Sequence, residues 1–141
     1  MKILIASSNK ELTEYIFHIL SISQPDWKLA TTDSGKQCVE AVKNGTCADI
    51  IIMGMDLADD SCFKVIEVIR CNSEVPIVVV SNDKKIETLV RAFDAGANDY
   101  IAKALNKDVF VARLKALHRR RKWDMQVFKE DPKITIRSNP D

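Results

Sequence analysis

The stretch Asp49-Ile50-Ile51-Ile52-Met53-Gly54 decides how this chain is read. Within residues 49–53, the apolar run that follows Asp49 is too short for a core helix and has no period-two alternation. It fits a strand buried on both faces, as in a parallel sheet. Met55-Asp56-Leu57-Ala58-Asp59-Asp60 then reads as a loop, and residues 61–70 as a helix with Phe63, Ile66 and Ile69 facing inward.

The same alternation extends outward in both directions. Upstream, Lys2–Ala6 reads as a strand, and residues 9 to about 21 as a helix with Leu12, Tyr15, Ile16, Ile19 and Leu20 on one face. Pro25 sits in the connection to a second strand over 27–31. Ser34 N-caps a helix carrying Val39 and Val42, which ends at Gly45 after Asn44. Downstream, Pro76 opens the unbroken run Ile77-Val78-Val79-Val80. Residues 84–95 are helical and end at Gly96, 99–102 form a fifth strand, and 106 to about 122 the last helix. Five strand–helix units, with strands too short and apolar for a wet surface, predict an α/β three-layer sandwich around a parallel sheet. Right-handed crossovers put helices on both faces and the ligand crevice beyond the carboxyl ends of the strands.

The 141 residues suffice for one domain and not for two of ordinary size. A formal net charge of +1 gives no global attraction to nucleic acid or a membrane, so any electrostatic footprint is local. No run reaches the length of a transmembrane span, and Met1-Lys2-Ile3-Leu4-Ile5 enters a strand without a signal-peptide cleavage site. The expected compartment is the cytoplasm. Cys38, Cys47, Cys62 and Cys71 contain no Cys-x-x-Cys pair and have no histidine close in sequence, so they read as reduced, packed cysteines rather than zinc ligands.

Residues 2 to about 121 resemble the receiver domain of response regulators. The most specific stretch is Ala95-Gly96-Ala97-Asn98-Asp99-Tyr100-Ile101-Ala102-Lys103, close to the family's A-G-A-D-D-Y followed by Ile or Leu, any residue, Lys and Pro. The resemblance implies strand order 2-1-3-4-5, the flavodoxin-like arrangement. It places Lys103 on the lysine that contacts the phosphoryl group, Ser81 on the hydroxyl residue that bonds to it, and Tyr100 on the switch aromatic.

The departures lie where magnesium and phosphate belong. Gly54 stands where the family has its phosphoaccepting aspartate. Ser7 and Ser8 stand where it has the acidic pair that binds magnesium, and neutral hydroxyls do not replace that charge. Ala104 replaces the proline after the lysine, so the peptide bond there is expected to be trans. Aspartyl phosphorylation by the usual route is therefore expected to be absent, with no metal, no cofactor and no enzymatic activity. Asp56 remains an alternative acceptor if the loop shifts; otherwise Asp59 or Asp60 lies near the N-terminus of the following helix, where negative charge is favoured. Lys103 either extends into solvent or pairs with the 56–60 loop.

With the pocket silent, output falls to a surface. OmpR-type receivers, which this chain resembles, dimerise through the fourth helix, fifth strand and fifth helix by ion pairs around a small apolar patch. Asp99 and Arg113 retain one such pair. Leu89 and Val109 stand where another would be, joined by Val90, Phe93 and Val111, with core packing the competing reading, most strongly for Val90. The run His118-Arg119-Arg120-Arg121-Lys122 complements the dipole of the last helix. The resemblance also implies that residues 1–122 are the receiver and 123–141 a linker toward a winged-helix DNA-binding domain outside this chain, with Lys133-Ile134-Thr135-Ile136-Arg137 resembling its first strand.

The reading is a phosphorylation-independent receiver that homodimerises to control an attached DNA-binding domain, with no membrane and no small-molecule substrate. The alternative is a stand-alone pseudo-receiver binding a partner protein or small ligand in a crevice lined by Ser7, Ser8, Gly54, Ser81 and Lys103, where the glycine makes room.

Overall fold

A computed structural model describes residues 1–45 and 48–124. The strands are β1 (Lys2–Ala6), β2 (Lys28–Thr32), β3 (Ile50–Gly54), β4 (Ile77–Ser81) and β5 (Asp99–Ala102). The helices are α1 (Lys10–Ser23), α2 (Gly35–Lys43), α3 (Cys62–Arg70), α4 (Ile86–Ala95) and α5 (Lys107–Asp124). All pairings are parallel and the sheet order is β2-β1-β3-β4-β5, as predicted. Every residue of β3 and β4 is buried, which is why those runs carry no polar alternation.

Two apolar clusters flank the sheet. On one side Phe63, Ile66 and Ile69 of α3 and Ala92 and Ala95 of α4 meet Ile51, Met53, Ile77 and Val79. On the other, Leu12, Ile16, Ile19 and Leu20 of α1 and Phe110, Leu114 and Leu117 of α5 meet Ile3, Ile5, Ile52 and Val80. Tyr15, predicted on the inward face of α1, instead sits at its edge, 36% exposed.

Several boundaries differ from expectation for local reasons. β2 is shifted by one residue and is a largely exposed edge strand, so the rule that these strands avoid water fails for it. α4 begins at Ile86 rather than Lys84 because Asp83 holds the approach open: its carboxylate accepts from Lys85 N–H at 2.8 Å and Thr88 Oγ1 at 2.8 Å. α5 runs through Asp124, two residues past the anticipated boundary. The predicted linker beyond Asp124, including 133–137, lies outside the described residues. Ser34 and Gly96 act at the helix ends anticipated for them, and Asn9, Ser61 and Asn106 prove to be further caps. Asn9, Ser34 and Ser61 cap α1, α2 and α3, Asn106 accepts from Val109 N–H, and Gly96 leaves α4 at φ 122°.

Candidate functional site

The carboxyl ends of β1, β3, β4 and β5 open on a crevice of about 360 Å³, lined among others by Ser7, Asn9, Met55, Asp56, Ser81, Asp83 and Lys103. Gly54 ends β3 beneath it. An ideal Cβ built on Gly54 would lie 2.6 Å from Ser7 Oγ, 3.0 Å from Ser7 Cβ and 3.3 Å from Leu12 Cδ2. No left-handed torsion demands glycine here; the close approach of Ser7 does. The space released by the missing side chain is thus filled by Ser7, which is 5% exposed and accepts from Asn9 N–H at 3.1 Å. The expectation that Gly54 enlarges a ligand pocket is corrected by that contact.

Ser8 does not line the crevice either. Its N–H and its hydroxyl both donate to the Asp56 carbonyl at 3.0 Å, stapling the loop after β1 to the loop after β3. Ser81 Oγ accepts from Asp83 N–H at 3.0 Å. The structure therefore brings Ser7, Ser81 and Lys103 together around the crevice, whereas Ser8 and Gly54 do not line it. Among the described residues Lys103 forms no ion pair with the 56–60 loop, and only its backbone is anchored, donating to Ser81 O at 2.7 Å.

Magnesium, which the resemblance implies for a functional receiver, does not fit the donors present. Both oxygens of the Asp83 carboxylate are engaged by α4, and the Ser7 and Ser8 hydroxyls are committed to loop contacts. Among the described residues no group of three acidic, histidine or cysteine side chains converges. A hard dication needs several oxygen ligands, and Asp56 alone does not supply them.

Of the two loop acids expected near the N-terminus of α3, Asp60 lies there, directly before Ser61, and Asp59 has a different task. Asp59 caps α2 rather than α3: its carboxylate accepts from Gly35 N–H at 2.7 Å, Lys36 N–H at 3.0 Å and Ser34 Oγ at 3.2 Å. The Lys36 and Gly35 amide bonds hold its acidity below the ordinary carboxylate range, against a small opposing effect of desolvation. Asp60 accepts from Ser61 N–H. Burial, reinforced by the Asp56 charge, pushes the Cys62 thiol up to about 11, so it stays protonated and unreactive. Cys38 and Cys62 are buried, Cys71 is exposed, and Cys47 lies outside the described residues.

Lys103-Ala104-Leu105 leaves β5 without a cis peptide, and Ala104 adopts φ 85°, a left-handed torsion that a Cβ disfavours. Tyr100 is 8% exposed, its hydroxyl donating to the Asp83 carbonyl at 2.6 Å. The switch position is therefore turned inward and tied to the start of α4.

The surface beyond Tyr100 divides differently from expectation. Leu89, Phe93 and Val109 are exposed, and so is Val90 at 46%, so the competing core reading, weighed most heavily for Val90, does not apply to it. Val111 is buried under α1 at 8% and does not join them. Ile86, which sequence reasoning missed, is the most exposed large apolar residue described, at 74%. Its signal was present in the spacing 86, 89, 90, 93 but was hidden by assigning its position to the interior of a longer helix. Asp99 and Arg113 pair within the chain, Nη1 lying 3.3 Å from both carboxylate oxygens.

This architecture and sequence match the response regulator receiver domain over residues 3–115. The chain belongs to that family. It is thus a receiver domain of two-component signalling. Among curated relatives, it is 32% identical to the cell cycle transcriptional regulator CtrA of Caulobacter vibrioides over 108 residues, covering 76% of this chain and 46% of CtrA. It is 29% identical to the transcriptional regulatory protein KdpE of Staphylococcus aureus over 118 residues, covering 84% of this chain and 50% of KdpE. The chain spans about half the length of the curated relatives it matches. Among solved structures, a putative response regulator from Chloroflexus aurantiacus superposes with TM-score 0.75 at 21% identity, over 84% of this chain and 97% of that one. A two-component response regulator from Clostridium difficile gives 0.76 at 21%, over 86% and 98%. Among the described residues no helix is long and apolar enough to cross a membrane.

Proposed function

We propose that this receiver domain works without phosphorylation, homodimerising through the face formed by α4, β5 and α5 to control an attached DNA-binding output domain. The observation that carries the reading is the Ser7–Gly54 contact. The place of an acceptor side chain is taken by a neighbouring hydroxyl at 2.6 Å from where its Cβ would be. Phosphoryl transfer to an aspartate needs a nucleophile and a cation to neutralise the transition-state charge, and both sets of groups are replaced. The inward Tyr100, held by Asp83, offers a surface already in one arrangement. CtrA and KdpE are named as transcriptional regulators, and their greater length is consistent with an output domain following this one.

Light scattering tests the proposal directly. The chain should be dimeric with no phosphodonor present, and Leu89→Glu should raise the dissociation constant at least roughly tenfold. Acetyl phosphate with magnesium should leave the intact mass unchanged. A monomeric wild type, or a mass gain abolished by Asp56→Asn, would remove the reading.

A second reading is a stand-alone module that binds a partner or small ligand at the crevice. The feature that favours it is Lys103, whose ammonium forms no ion pair among the described residues and borders a cavity of about 360 Å³. An output domain encoded immediately downstream would weigh against it.

A further inference from the structure

α4 is built inside out relative to an ordinary surface helix. Its buried residues are only Ala92 and Ala95, whereas Ile86, Leu89, Val90 and Phe93 face solvent. Positions i, i+3, i+4 and i+7 form a single continuous stripe on a helix, the pattern that usually seats a helix on its own core. The stripe therefore lies on the wrong side for intramolecular packing and on the right side for a partner. Its exposures, 74% at Ile86, 39% at Leu89, 46% at Val90 and 41% at Phe93, with 50% at Val109 across β5, are those of side chains lacking cover. Together they amount to on the order of 500 Å² per copy, within the range of a monomer's largest apolar patch, which is often functional, and two copies reach about the 1,000 Å² that a specific interface needs.

The charged pair that the family resemblance places on this face is already made within the chain. Arg113 Nη1 contacts both oxygens of Asp99 at 3.3 Å, and Asp99 Oδ1 also accepts from Tyr100 N–H at 2.8 Å. The Asp99 side chain is only 23% exposed. Turning this pair outward to a second copy exchanges one partly exposed ion pair for an equivalent one and so adds little to association. Where ion pairs of the OmpR type would be joined by a second charged pair, Leu89 and Val109 now offer none.

We infer that, on the dimeric reading above, the second copy is held by an uncharged seam along α4 that extends to Ile86, while Asp99 and Arg113 stay paired within each copy. The occupant is another copy because the stripe is self-complementary: apolar meets apolar across a two-fold axis, the stripe itself carries no charge for a differently charged partner to match, and two copies together reach the area a specific interface needs. The association is then driven by apolar burial and is not screened by salt.

Sedimentation equilibrium on the full chain, without phosphodonor, separates the possibilities. Wild type, Ile86→Glu and Arg113→Gln are each measured at about 0.05 and about 0.5 M salt. The seam predicts a wild-type dimer unchanged or tightened by salt, an Ile86→Glu dissociation constant raised at least roughly tenfold, and an Arg113→Gln value within about threefold of wild type. Ile86 lies exposed in the first turn of α4, where a carboxylate suits the helix dipole, so Ile86→Glu should fold and keep the wild-type circular dichroism spectrum. A dimer that weakens with salt and with Arg113→Gln overturns the seam in favour of an ion-paired interface, leaving the dimeric reading in place. A dimer indifferent to Ile86→Glu overturns it in favour of another face. A wild type that stays monomeric throughout sinks the dimeric reading, and the seam with it.

Discussion

Replacing Gly54 by alanine would set a methyl group 2.6 Å from Ser7 Oγ and 3.0 Å from Ser7 Cβ, distances that atoms in a packed interior do not tolerate. One of the two strand ends must move, and overpacking of this kind costs about 1–3 kcal/mol. Ser7→Gly removes both offending atoms. Urea unfolding of Gly54→Ala, Ser7→Gly and the double variant should therefore give a double variant more stable than the two separate losses add up to, by roughly 1 kcal/mol or more. Strict additivity would show that the two positions do not compete for one volume. The sequence shows a glycine and a serine in two different strand–loop junctions. That they share one space follows only from the pairing of β1 with β3, where Ala6 sits opposite Met53, so the next residues come face to face.

At the scale of the element, α2 depends on a carboxylate from another segment. Asp59 adds bonds from Gly35 and Lys36 to the cap that Ser34 supplies through Gln37 N–H. Because these bonds favour the ionised form, the folded-state value of Asp59 lies below the ordinary 3.8. The stability it contributes is complete above the unfolded value and is lost as pH falls through the lowered folded value. Asp59→Asn should thus destabilise the chain at pH near 6, and the gap to wild type should narrow by about pH 3 in parallel denaturant titrations. An equal gap at both would mean that charge plays no part in the cap. Most helix limits were legible because the cap was adjacent: Ser34, Ser61, Asn106 and Gly96 act at the ends they mark. α4 was not, since Lys85 provides no side-chain cap and Asp83 works from two residues upstream. Its outward stripe at Leu89, Val90 and Phe93 was anticipated from the family resemblance and not from the pattern itself. Periodicity locates an apolar stripe but not the side of the helix it occupies, and the alanines that actually seat α4 carry a weak signal. Val111 is the converse case, an apolar residue on α5 that α1 covers.

Over the whole molecule, anchorage is uneven. β3 and β4 are buried throughout, and Arg70 ties the base of the sheet by donating to the carbonyls of Gly96, Val75 and Ser73 and to Asn98 Oδ1, which also accepts from Ile77 N–H. α4, by contrast, is held by two alanines, the Asp83 bonds and Arg91 lying 4.4 Å over the Phe63 ring. Native-state hydrogen exchange should find β3 and β4 amides opening only with global unfolding and α4 amides opening well before it at dilution, with α4 protection rising as protein concentration increases. Concentration-independent α4 exchange would show that nothing in solution covers the helix. The Ser7–Gly54 contact also locks two distant positions together. A substitution that adds a side chain at position 54 meets Ser7, and one that removes the serine first opens a hole with nothing to fill it. Each single step is a step down, so the pair acts as a ratchet: the surface is free to vary, but these two positions change only together.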